Sequence, residues 1–284
     1  MEEILKTAGI DNLPGVSLDI IEKKLLQLPQ AECPLFHYFG DGLYIREVHF
    51  PAGAMVLGHR QKFSHVNIFI QGKVLMLNPD GSKTELSAPM TFIGPPGRKV
   101  GYILEDVIWQ NVYATDETDI DKLEAWFLDK TDYAVEYHKD TTDYSEDHAD
   151  YELVVQECGM VPEQIKEEVE NEEDQIPMPN GWTKVCVRDS ALHGKGLFAS
   201  APFYEGEVIA PANINGKRTP AGRYTNHSCR PNAKVFQVNN DIVFVALRNI
   251  EGCRAGDRGE EITIDYRQTL QLRGLLEVEE CQAQ

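Results

Sequence analysis

From Phe36 to Ala114 the sequence is a run of short β-prone segments separated by turn residues, and no other feature limits the fold as tightly. The segments Leu43 to Phe50, His65 to Ile70, Lys73 to Leu77 and Val107 to Tyr113 are rich in β-branched, leucine and aromatic residues. Between them stand Pro51-Ala52-Gly53, Gln71-Gly72, Asn78-Pro79-Asp80-Gly81 and Gly94-Pro95-Pro96-Gly97. These favour turns, because proline presets φ and glycine accepts positive φ. Short strands at this spacing predict a small all-β barrel or sandwich. A helix is expected ahead of them, capped by Ser17, with Asp19 at its positive end and Leu18, Ile21 and Leu25 at helical spacing before Pro29.

At 284 residues the chain is long enough for two domains. Its net charge of −19 is concentrated in one place, since residues 116–175 hold 22 carboxylates and 4 basic side chains. No basic stripe of the kind a phosphate backbone requires is present, which argues against nucleic acid as a partner. No run of eighteen apolar residues predicts a membrane span. The opening Met-Glu-Glu-Ile-Leu-Lys lacks the basic and apolar regions of a signal peptide. Six cysteines are scattered without a Cys-x-x-Cys pair, as expected of reduced thiols in the cytoplasm, with neither a zinc site nor a disulfide framework.

The acidic stretch, residues 116–180, reads as a part-helical connector. Ile120, Leu123, Trp126 and Phe127 predict an amphipathic helix that docks on the β domain. A second helix is expected from about Pro162 to Glu173, with Val161, Ile165 and Val169 four apart. The carboxylates between and around them fit two readings: a self-repelling, solvated linker, or an acidic collar that draws in a lysine-rich substrate. Pro177, Pro179, Asn180 and Gly181 then open a third region, 181–284. Its expected strands are Thr183 to Val187, Gly206 to Ile209, Ala233 to Val238, Ile242 to Leu247 and Glu261 to Ile264.

The third region carries the chemistry. Thr225, Asn226, His227 and Ser228 are four successive small polar side chains that cannot build a core, and Pro231 stiffens the backbone just beyond them. Upstream lies His193-Gly194-Lys195-Gly196-Leu197-Phe198-Ala199, and downstream Gly259-Glu260-Glu261-Ile262-Thr263-Ile264-Asp265-Tyr266. In this order the three stretches resemble the signature of SET-domain protein lysine methyltransferases, over roughly residues 182 to 268. The resemblance implies a knot-like crossing of the Asn-His-Ser-Cys and Asp-Tyr segments. It implies S-adenosylmethionine bound against Gly194, Lys195 and Gly196 and hydrogen-bonded by Asn226 and His227, with Tyr266 as catalytic tyrosine and Tyr224 as a second residue of the lysine channel. Cys229, Pro231 and Asn232 would shape the crossing. The family's helical insertion before Asn-His-Ser-Cys is reduced here to Ile209 to Thr225, and the cysteine-rich segment that often succeeds the domain is missing. Trimmed domains of this kind resemble those of bacterial and bacteriophage proteins. A non-catalytic assembly or virion component is therefore the competing expectation to a methyltransferase acting on a lysine-bearing protein. A homo-oligomer is expected in either case.

The first region, 1–115, resembles a cupin in the order of Phe50-Pro51-Ala52-Gly53, the histidine region His59 to His65, Ile70-Gln71-Gly72 and Phe92-Ile93-Gly94-Pro95-Pro96-Gly97. Cupins often hold a metal with three histidines and a carboxylate. Here His59 and His65 could be two ligands and Gln61 a weak third, but no carboxylate lies in that stretch and Lys99-Val100 stands where a last histidine would be. No metal is expected. The fold class is thus mainly β: an N-terminal cupin-like β-barrel, an acidic part-helical connector (116–180) and a C-terminal minimal SET-like β fold (181–284).

Overall fold

The computed structural model describes residues 1–7, 16–78, 80–159, 161–254 and 256–276. Pro79 of the expected turn and Cys281 lie outside them. The chain divides into two units, Met1–Asp140 with Gly252–Gly259, and Thr141–Glu251 with Glu260–Gln284. Among the described residues no helix is long and apolar enough to cross a membrane.

The first unit is built on a seven-stranded antiparallel sheet in the order Leu35–Gly40, Leu43–Phe50, Val100–Ala114, His65–Leu77, Lys83–Ser87. Met55–Leu57 adds to Val100–Ala114, and Met90–Gly94 adds to His65–Leu77. The expected barrel is not closed, because among the described strands Leu35–Gly40 and Lys83–Ser87 end the path without pairing each other. The Gln71-Gly72 turn is also absent: His65–Leu77 is one strand, with register shifts against Val100–Ala114 between Phe69 and Val74. Gly72 explains the bulge. Its φ is +90°, and a Cβ there would stand 2.8 Å from the Asp106 carbonyl carbon, so the residue bends the strand without breaking the ladder. Phe69, Val74, Ile103 and Val107 form the core beneath it.

After a short helix Glu2–Thr7, the expected helix Leu18–Leu25 starts where its cap predicts, with Ser17 accepting from the Asp19 amide. Helix Ile120–Phe127 buries Ile120, Leu123 and Phe127. Trp126, expected on the same face, is exposed and meets the Phe63 ring edge-on. The late segment Gly252–Gly259 belongs to this unit. The Cys33 amide donates to the Cys253 carbonyl at 2.9 Å, Arg46 donates to Gly256 O at 3.0 Å, and buried Asp257 faces Lys130 and His138.

The second unit has two four-stranded sheets. One runs Val185–Asp189, Lys195–Ala199, Glu261–Ile264, Asn226–His227, the last pair parallel. The other runs Lys217–Arg218, Val208–Ile214, Asp241–Ala246, Ala233–Val238. Leu197, Phe203, Ile209, Phe244, Ile250 and Ile262 fill the core they share. Between the strands Val208–Ile214 and Asn226–His227 the chain makes only the Lys217–Arg218 hairpin and the short helix Pro220–Tyr224. That helix lies against the strand Val208–Ile214, and a Cβ on Gly222 would stand 2.8 Å from the Ala212 carbonyl carbon and closer still to its oxygen. Gly222→Ala is expected to cost about 1–3 kcal/mol by overpacking, read as a lower urea midpoint with unchanged slope. An unchanged midpoint would refute that close approach. The described cysteines, Cys33, Cys158, Cys186, Cys229 and Cys253, are free thiols.

Candidate active site

The sequence places two polar segments side by side on one sheet edge. Asn226–His227 pairs in parallel with Thr263–Ile264, the Ser228 amide donates to Ile264 O at 3.0 Å, and Asn232 staples the two segments. Its amide donates to Glu261 O at 2.7 Å while its Oδ1 accepts from the Thr263 amide at 2.9 Å.

Asn226 looks toward the Gly194-Lys195-Gly196 hairpin. Its Nδ2 donates to the carbonyls of His193 (3.1 Å) and Lys195 (3.2 Å) and to Glu261 Oε1 (2.7 Å). Glu261 in turn accepts from Ser190 Oγ at 2.7 Å, and Ser190 Oγ accepts from the amides of Leu192 and His193. A single carboxylate therefore ties both ends of the hairpin to the sheet. The Lys195 ammonium pairs with Asp189 at 2.6 Å.

His227 has a fixed tautomer. Its Nδ1 lies 3.2 Å from the Tyr266 amide, which can only donate, so Nδ1 accepts and Nε2 carries the hydrogen. Nε2 donates to Asp150 Oδ2 at 2.9 Å, and Asp150 also takes a two-pronged contact from Arg267 at 2.8 and 3.0 Å. The Arg267 guanidinium holds the Asp150 carboxyl below its ordinary value.

Tyr266 is the first residue of helix Tyr266–Leu272, where Asp265 caps by accepting from the Arg267 amide. Its hydroxyl donates to Thr225 O at 3.0 Å. Burial pushes the Tyr266 phenol well above its ordinary value, so the group stays protonated and acts as a donor. Tyr266, Thr225 and Ile264 line a cavity of about 650 Å³. Its other walls come from Tyr151, Val154 and Val155, from Ile165 and Glu168, and from Phe244 and Leu270. Two of its cations are paired within it, Arg218 with Asp174 at 2.7 Å and Arg273 with Glu168 at 2.8 Å, while Arg223 donates to the Val169 carbonyl.

The structure thus ties Asn226 to the Gly194-Lys195-Gly196 hairpin, turns His227 to Asp150 and the Tyr266 amide, and sets Tyr266 on the cavity wall. Tyr224 is not brought to that wall, and Arg223 lies 5.3 Å from its ring. The sequence reading missed helix Ser145–Cys158, which docks on the Asn-His-Ser-Cys segment. Asp147 accepts from Ser228 Oγ at 2.7 Å and from the Cys229 amide at 3.0 Å, and His148 Nε2 donates to Leu192 O at 2.8 Å. The Tyr151 ring meets Tyr266 edge-on at 6.1 Å. The available signal was a polar stripe, Asp147, Asp150, Tyr151 and Val154, at helical period.

In the first unit His59, Gln61 and His65 line a smaller cavity of about 140 Å³. Gln61 Oε1 already accepts from the Tyr113 hydroxyl at 2.8 Å. Among the described residues no three of His, Cys, Asp and Glu cluster as a ligand set, and no carboxylate lines this cavity.

Among curated proteins, none matches the chain. Solved structures similar to parts of it include a cupin domain from Bordetella pertussis Tohama I (16% identity, 31% of this chain and 98% of that chain, TM-score 0.26). A cupin-family protein with a double-stranded β-helix fold from Methanocaldococcus jannaschii is similar over 32% of this chain and 84% of its own (15% identity, TM-score 0.25). KdgF from Halomonas sp. is similar over 30% of this chain and 79% of its own (19% identity, TM-score 0.24). A family model described as SET domain matches residues 210–267, a span that contains Tyr224, Asn226, His227 and Tyr266 and stops short of the glycine hairpin.

Proposed function

We propose that the second unit is an S-adenosylmethionine-dependent methyltransferase acting on a protein lysine. The observation that supports this is the position of Tyr266: its protonated hydroxyl meets Thr225 O on the wall of the large cavity, while the next residue, Asn226, holds the glycine hairpin, which is not part of that wall. One thin strand then separates a place for a methyl donor from a place for an amine.

The residues present fit the cofactor. Asn226 spends its amide hydrogens on the hairpin and accepts no hydrogen bond at Oδ1 among the described residues, which suits an ammonium. Gly194, at φ +52°, has open space where a Cβ would stand. When bound, the cofactor supplies a methyl group activated by a sulfonium. What remains for the chain is alignment and deprotonation of the amine. A free lysine titrates near ~10.4, and a channel walled by Val154, Ile165, Phe244 and Ile264 disfavours its charged form. Thr225 O can accept from the neutral amine, and the Tyr266 hydroxyl fixes the direction of that carbonyl.

The test is calorimetry with S-adenosylmethionine, then transfer of labelled methyl groups to lysine-rich peptides. Asn226→Ala is expected to weaken cofactor binding by about tenfold or more, because the hairpin loses its anchor and the ligand loses an acceptor. A parent chain that neither binds the cofactor nor transfers methyl groups would overturn the reading. That result would favour a non-catalytic assembly module, the role suggested by a helix seated on Ser228 and Cys229.

A further inference from the structure

The smaller cavity of the first unit contains two hydrogen-bond donors set side by side with no acceptor between them. Asn67 Oδ1 accepts from Trp109 Nε1 and from Asn111 Nδ2, both at 2.9 Å, which fixes the orientation of the amide and turns Nδ2 away from them. Nδ2 makes one long contact, 3.3 Å to His65 O. Beside it is the Lys99 ammonium. A Cβ on Gly94 would stand 2.5 Å from Asn67 Nδ2, 3.0 Å from Lys99 Nζ and 3.3 Å from His65 Cε1, so these three groups converge where only glycine fits. Among the described residues Lys99 has no ion pair and no hydrogen bond, and its closest described interaction is the Phe92 ring at 5.7 Å. Burial pulls the Lys99 ammonium below its ordinary value, as expected for a cation without a counter-charge.

The same cavity offers acceptors. His65 Nδ1 lies 3.1 Å from Phe63 O, so it carries the hydrogen and leaves Nε2 as an acceptor, with the Asn67 side chain beside the ring. His59 Nδ1 is buried without a partner among the described residues. The far wall is apolar, with Val56, Val74, Met76 and Ile103. A divalent metal does not fit this set, because the imidazoles share the space with an ammonium and no lining carboxylate offsets a second cation. An anionic oxygen fits the donors, a hydroxyl hydrogen fits the imidazole, and a methyl-sized group fits the apolar wall. At about 140 Å³ the space is close to that of a cavity that holds benzene, which limits the guest to a few heavy atoms.

We propose that this cavity is a binding site for a short-chain 2-hydroxycarboxylate, with its carboxylate on Lys99 Nζ and Asn67 Nδ2, its hydroxyl on His65 Nε2 and its alkyl end against Val74 and Ile103. The site is independent of the methyltransferase reading, since its residues all belong to the first unit.

The probe is lactate, with propionate, lactamide, inorganic phosphate and zinc as comparisons, added to the full chain. Binding is monitored by thermal shift and by the indole N–H resonance of Trp109, which reports on Asn67. Lactate should raise the melting temperature and move that resonance. Propionate, lacking the hydroxyl, and lactamide, lacking the charge, should each bind about tenfold or more weakly. Lys99→Met should abolish the lactate response while leaving the ligand-free chain at least as stable as the parent, because an uncompensated cation has been removed. Absence of any lactate response in the folded parent overturns the proposal. So does a response to lactamide, phosphate or zinc equal to that for lactate, or a Lys99→Met chain that is folded and still binds lactate like the parent.

Discussion

Tyr266→Phe is expected to lower the rate of methyl transfer about 100-fold, equivalent to about 2.7 kcal/mol of lost transition-state stabilisation. The substitution removes one oxygen and keeps the ring that packs near Tyr151 and His227, at 6.1 and 5.3 Å between centroids. It also leaves the Thr225 carbonyl without its described donor in a residue that is nearly fully buried, so a stability loss of about 1–3 kcal/mol should accompany it. The two effects separate cleanly: cofactor affinity and the folded fraction at assay temperature should stay near the parent's while turnover falls. Because burial keeps the phenol protonated far into the alkaline range, Tyr266 adds no titration of its own. The rate should therefore rise with pH as the substrate amine loses its proton, without a downturn below about pH 10. Unchanged turnover in Tyr266→Phe would remove the tyrosine from the reaction.

The second large effect concerns Asp147, a buried carboxylate that joins an acidic helix to the polar segment it covers. Asp147→Ala is expected to destabilise the second unit by about 3 kcal/mol, since Ser228 Oγ and the Cys229 amide lose their acceptor. Asp147→Asn keeps an oxygen and should cost about half as much. Burial alone raises the Asp147 carboxyl, but hydrogen bonds from Ser228 and Cys229 outweigh it and hold the group below its ordinary value of 3.8. A depressed carboxylate contributes stability that is present above that ordinary value and lost as pH falls through the lower, folded one. Asp150, lowered chiefly by Arg267, acts with the same sign. Amide protection factors across residues 145–158 and 226–229 should thus fall as pH drops below about 3.8 in the parent, and be low already at neutral pH in Asp147→Ala. Equal protection in parent and Asp147→Ala at pH 7 would show that the carboxylate does not hold the helix in place.

The elements that the sequence made legible were those with an apolar period or a turn signal. The Ser17 cap, the strand Leu43–Phe50 and the strand Ala233–Val238 fall where their residues predict. Helix Ser145–Cys158 was hidden because the face it buries is built from Asp147 and Val154, with Asp150 and Tyr151 alongside, and hydrophobic periodicity cannot detect a polar seam. Gly72 was misread for a related reason: glycine marks a turn and a bulge alike, and only the neighbouring Asp106 carbonyl decides between them. The closed barrel failed because strand pairing at the two ends of a sheet depends on tertiary geometry that local pattern does not carry. At the candidate site, the motifs singled out the Asn-His-Ser-Cys and Asp-Tyr segments, which lie side by side, whereas Asp150, which holds the His227 ring, comes from the docked helix and is itself held by Arg267.

The segment Gly252–Gly259 has a consequence for how the chain is made. A ribosome delivers residues 1–140 first, and N-terminal domains ordinarily complete their fold while later ones are still being synthesised. Here Cys253, which bonds the Cys33 amide, and Asp257, which faces Lys130 and His138, emerge only after residues 141–251 of the second unit. The first unit must wait, part-finished and with Cys33 and Leu35 uncovered by their late partner, until residues 252–259 have left the tunnel. Vectorial synthesis therefore closes the N-terminal half last, and a stop codon near residue 250 would abort both halves at once.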